Sequence, residues 1–110
     1  MNTTTPPSAG NAPVVDWHAH IVPRGLVDKI VAGGLSFPNV RIEMADGKPR
    51  FGFGDAPLTR PARVDLTDPA TRDSWLTDNR VDVQVVGPWL DIAAYSLPAA
   101  EGADWSRAVT

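Results

Sequence analysis

The sequence predicts an α/β chain in which parallel strands alternate with helices, with a small β-hairpin inserted after the first strand. Three observations point there. A short apolar run, Val14-Val15, leads into Asp16-Trp17-His18-Ala19-His20. The pair Asp46-Gly47 stands between two alternating stretches, Val40/Ile42/Met44 and Phe51/Phe53. The β-branched run VDVQVVGPW, 81–89, follows a segment that carries helix-start signals.

Each element follows from local chemistry. Residues 1–12 are polar and proline-rich and read as a disordered leader to a single unit over 13–110. Val14 and Val15 open a short strand that carries the histidines at or just past its C-terminal end. Leu26, Val27, Ile30 and Val31 recur at helical spacing, and Gly33-Gly34 would stop that helix. Asp46-Gly47 between alternating apolar residues is a hairpin signal. Residues 54–66, with Pro57 and Pro61, read as irregular. Asp68-Pro69 starts a helix, because Asp caps and Pro fits the first turn; it is expected to run to about Asn79. Residues 81–86 read as a buried strand. A last helix begins near Pro98. Strands that alternate with helices suggest a parallel sheet. Two parallel strands do not suffice for one, since each wants neighbours and cover on both faces. The chain is therefore expected to be the opening part of a larger barrel.

Composition narrows the function. The 110 residues suit one small domain, and 10 Lys+Arg against 13 Asp+Glu leave a net charge of −3, unlike a nucleic-acid footprint. No run of like charges suggests a membrane surface. Without cysteine there is no disulfide, thiolate ligand or Cys nucleophile. The N-terminal stretch lacks the pattern of a signal peptide, and no apolar run approaches a membrane span. A cytoplasmic protein is the expectation. No Ser-His-Asp set, P-loop or dinucleotide fingerprint is present.

His18 and His20 are the only histidines. Alternation along a strand would set Asp16, His18 and His20 on one face. Two imidazoles so placed can share one metal ion. The bland alternative is a pair of ordinary polar residues at a strand end.

VDWHAHIVP, 15–23, resembles the first-strand motif of the amidohydrolase superfamily. A longer stretch, RPARVDLTDPATRDSWLTDNRVDVQVV, 60–86, is similar to the amidohydrolase-related branch that includes aminocarboxymuconate-semialdehyde decarboxylase and resorcylate-type decarboxylases. ADWSRAVT, 103–110, resembles the start of that branch's next helix. The resemblance implies the N-terminal part of a (β/α)8 TIM barrel, a fold of about 250 residues. It also implies a divalent metal, usually zinc, with His18 and His20 as two of its ligands. The remaining His and Asp ligands are expected beyond Thr110. Arg60 matches an arginine that contacts a substrate carboxylate, a role that suits a guanidinium. As a plain residue it could be a solvated loop arginine, and Arg63 or Arg50 could serve equally. Asp16 could orient a ligand histidine or simply bond backbone at the strand end. Trp89 could line a substrate site or pack. Where the branch has Gly before VDVQV, this chain has Arg80, after Asn79; Gly there would take the left-handed cap, and Asn79 can do so at modest cost. The stretch GPWLD, 87–91, is atypical for the decarboxylase proper.

The implied function is a metal-dependent hydrolase or decarboxylase acting on a small carboxylated substrate, homo-oligomeric at full length and inactive as this chain alone. No residue within the chain is assigned as catalytic. The alternatives are a metal-dependent phosphoesterase or nuclease barrel, which also opens with H-x-H, and a non-catalytic truncated chain that needs a partner.

Overall fold

A computed structural model describes residues 12–110; the expected leader lies, but for Ala12, outside them. Along the chain run β1 (Val15–Ile21), α1 (Arg24–Val31), β2 (Val40–Ala45), β3 (Lys48–Phe53), α2 (Val64–Thr67), α3 (Pro69–Asp78), β4 (Val83–Pro88), a 3-10 turn (Leu90–Ile92) and α4 (Ala99–Val109). The architecture is mixed α/β with two separate two-stranded sheets among the described residues, β1 beside β4 and β2 beside β3.

The β2–β3 hairpin is antiparallel, with Val40 opposite Phe53 and Ile42 opposite Phe51. Asp46 and Gly47 both take positive φ, 52° and 77°, as a two-residue turn that matches strand twist demands. One face of the hairpin is apolar and meets α4. Trp105 of α4 is 1% exposed. Its ring lies edge-on to Phe37 at 5.2 Å and to Phe53 at 5.4 Å between centroids. Its indole N–H donates to the Ile92 carbonyl at 2.8 Å, so burial leaves no orphan donor. Glu101 ties the same helix to the hairpin's approach, accepting from the Asn39 amide at 2.8 Å and from Asn39 Nδ2 at 2.7 Å. α1 adds Leu26 and Val27 to this core and ends as its glycines suggest, with Gly33 at φ 83° and the Gly34 amide donating to the Lys29 carbonyl.

β1 and β4 pair in parallel, Val15 with Val83 and His20 with Gly87. The strand–helix–strand order of β1, α3 and β4 is thus as the sequence suggests. The burial of β4 is not. Val83 and Val85 are 49% and 44% exposed, and Trp17 of β1 is 76% exposed. The physical reason is local. The sheet has two strands, and α3 contributes no buried residue against it. The core begins only where the strands end, at Val22 after β1 and Trp89 after β4.

Three local features depart from the sequence reading. The irregular stretch contains α2, a single turn that buries Leu66 and Thr67. A 3-10 turn follows Trp89 and buries Ile92. The left-handed residue after α3 is Arg80, at φ 56°, and not Asn79, at φ −98°. Asn79 instead donates from Nδ2 to the Trp75 carbonyl at 2.9 Å, which closes the last turn and passes the reversal on by one residue. That is where the resembled branch carries Gly. A β-carbon in this conformation costs about 1–2 kcal/mol. Among the described residues, no helix is long and apolar enough to cross a membrane.

Candidate metal centre

The histidines lie in the C-terminal half of β1, His18 within an irregularity of the strand pairing and His20 just past it. Asp16 pairs with Gln84 and Ala19 with Val86, so β1 spends three steps where β4 spends two. An extra residue of this kind bends a strand and re-aims its side chains. Alternation therefore does not run unbroken from Asp16 to His20, and the one-face rule applied to all three residues is interrupted.

The two imidazoles meet. Their ring centroids are 4.8 Å apart with planes at 89°. Two imidazoles on one tetrahedral zinc, with bonds of 2.0–2.1 Å, put their ring centres about 5 Å apart. The centroid spacing matches that value, and equally that of an edge-to-face ring contact. His20 is half-buried and His18 exposed. Nδ1 of His20 lies 3.1 Å from the Pro88 carbonyl at the end of β4. A carbonyl only accepts, so Nδ1 is the protonated nitrogen and the neutral ring keeps its lone pair on Nε2. That is the second contact commonly found behind a metal-bound histidine.

Asp16 is drawn the other way. One carboxylate oxygen accepts from Gln84 Nε2 at 3.0 Å and the other from the His18 backbone amide at 3.2 Å. The Gln84 side chain first, then the His18 amide, hold its carboxyl below the usual 3.8. Its hydrogen bond to the histidines runs through the main chain. Gln84 in turn accepts from Arg72 of α3, whose other terminal nitrogen donates to the His20 carbonyl at 2.7 Å and the Asp65 carbonyl at 3.1 Å. These groups border a cleft of about 330 Å3 whose lining includes Asp16, His20, Arg63, Arg72, Trp75 and Gln84. Neither Arg72 nor Gln84 was singled out by sequence. Gln84 had a visible signal, a polar residue inside an apolar strand. Arg72 had none.

Arg60 pairs with Asp91 just after β4, Nε to Oδ2 at 3.1 Å and a terminal nitrogen to Oδ1 at 3.4 Å. Its guanidinium lies over the buried Trp89 ring, 5.5 Å from the centroid. It thus presents its fork to a carboxylate, that of Asp91. The other two arginines are engaged differently. Arg63 grips Asp65 at 2.9 and 3.0 Å, and Arg50 donates to the Thr59 carbonyl.

The donor chemistry of His18 and His20 fits a divalent ion, but the set is short. Among the described residues no group of three or more His, Cys, Asp or Glu side chains stands close enough to hold one. Compared with known proteins, the chain matches no family model and no curated sequence.

Proposed function

We infer that the chain is the N-terminal portion of a (β/α)8 barrel enzyme of the amidohydrolase-related kind. Its activity is metal-dependent hydrolysis or decarboxylation of a small carboxylated substrate. The observation that carries this is the histidine pair: two rings 4.8 Å apart, one anchored through Nδ1 to the end of the neighbouring parallel strand. In barrel enzymes the chemistry sits at the C-terminal ends of the strands.

His18 and His20 would hold a divalent ion, zinc by preference, through two ring nitrogens. The remaining ligands belong to segments other than residues 12–110, since three protein ligands and a water are usual for catalytic zinc. A bound ion supplies Lewis acidity and a water of lowered pKa. The chain's own residues do the rest. The Pro88 carbonyl fixes the His20 tautomer. Arg60, resting on Trp89, offers a fork to the substrate carboxylate once Asp91 yields it. The enzyme is read as cytoplasmic and homo-oligomeric, with no nucleic-acid or membrane partner.

The bare apolar face of β4 favours a second reading, in which the chain is non-catalytic by itself and needs a partner chain. The test assays small aromatic carboxylates and their esters for CO2 release and hydrolysis, with and without Zn2+. It uses this chain and the product of the longest reading frame containing it. Zinc-dependent turnover by the longer product alone, abolished by His18→Ala or His20→Ala, is expected. Hydrolysis of phosphoesters in place of both would select a phosphoesterase. Turnover by the short chain, lost in His18→Ala, would show it to be a complete enzyme.

A further inference from the structure

The hydrogen bonds behind the histidines form one continuous path. It starts on the His20 carbonyl, passes to the Arg72 guanidinium, from Arg72 to the Gln84 amide oxygen, and from the Gln84 amide nitrogen to Asp16. It ends where Asp16 accepts the His18 backbone amide. Both ends are main-chain atoms of the two histidines, and its members come from β1, β4 and α3. We propose that Arg72 and Gln84 are positioning residues that hold the main chain at His18 and His20 and thereby set the spacing of the two rings.

The chemistry suits the task. Arg72 is a fixed planar fork, so one side chain reaches the Gln84 oxygen and two carbonyls without turning. Gln84 carries an acceptor and a donor on one amide, which lets it join a cation to a carboxylate. The register shift leaves Trp17 and His18 without regular pairing, while His20, one step past it, pairs with Gly87. Side-chain bonds from behind stand in for the ladder at His18 and add a second restraint at His20. The hydrogen bonds of these groups reach main-chain atoms of the two histidines, so their effect is on backbone placement. This inference rests on the metal-site reading only for its purpose; the positioning itself is a property of the metal-free chain.

The test uses the whole chain with Arg72→Met, Arg72→Lys and Gln84→Met, and Arg107→Met on the remote α4 as control. Without metal, NMR reads the contact between the two imidazole rings and the amide shifts of His18 and His20. The Trp105 indole resonance reports whether the core survives. Loss of the ring contact in Arg72→Met and Gln84→Met, with Trp105 unmoved, is expected. Arg72→Lys should recover part of it, since an ammonium can still reach the His20 carbonyl. With Co2+ as probe, affinity should fall about 10- to 100-fold in the two Met variants. An unchanged ring contact in both overturns the proposal, whatever Co2+ does. If the unaltered chain takes up no Co2+ but the variants still lose the contact, positioning stands and the metal reading falls. Should Arg72→Met abolish the Trp105 signal, Gln84→Met decides alone.

Discussion

The hairpin with α4 and the β1–β4 ribbon are built from similar residues and end in opposite states. In the first, Phe51, Phe53 and Trp105 close on one another and are all buried. In the second, Val83, Val85 and Trp17 stay in water. The difference is one of partners. An antiparallel hairpin needs cover on one face, and α4 together with α1 supplies it. A parallel pair needs cover on both faces, and α3 gives little to either. Covering a half-exposed valine is worth about 1 kcal/mol, so the ribbon leaves unused much of what its sequence offers. The further strands and helices of the proposed barrel would supply that cover. The histidines sit where the two regions join. Their strand belongs to the ribbon, while Val22 and Trp89, just past the strand ends, belong to the core.

The contrast is sharpest at two tryptophans. Trp105→Ala should cost roughly 3–5 kcal/mol in urea unfolding, the usual range for a buried aromatic. Trp17→Ala should change stability by less than about 0.5 kcal/mol. A large loss at Trp17 would break the comparison, because it would mean that the ribbon face is covered in solution. A smaller effect is expected at Arg80. Arg80→Gly should stabilise by about 0.5–1 kcal/mol, because Gly takes the left-handed conformation freely while losing more chain entropy on folding. No gain in thermal midpoint would mean that the turn before β4 differs from the one described.

Acid gives the smallest effect. The Thr71 hydroxyl holds Asp68 below its ordinary 3.8, and the Arg63 side chain does the same for Asp65. A carboxylate whose folded pKa is lowered stabilises the fold above its unfolded value and loses that contribution as pH falls through the folded one. The α2–α3 junction should therefore loosen below about pH 4, before the Trp105 core does. Residue-resolved NMR over a pH series would show it. Simultaneous loss at both places would erase the distinction between the two regions.

What the sequence made legible was what depends on near neighbours. Asp46-Gly47 announced the hairpin because its turn needs positive φ at both residues. Asp68-Pro69 announced α3 through the proline of its first turn, while the Asp68 carboxylate makes no cap bond and accepts from the Thr71 hydroxyl instead. The strand–helix–strand order was equally local. The irregularity between Asp16 and Ala19 was hidden, because a bulge depends on the partner strand's register. Arg72 was hidden for the same reason: its acceptors are 52 and 12 residues away in the chain. The exposure of β4 was misread because β-branched composition records what a strand can bury, and not what is at hand to bury it.

Everything proposed for function returns to the histidine pair, and a calorimetric titration of Zn2+ into the chain tests it most directly. His18→Ala and His20→Ala are measured beside it. One ion per chain is expected, bound weakly because two ligands fall short of the usual three, and lost in each variant. No uptake by the unaltered chain, or uptake that both variants keep unchanged, would contradict the account.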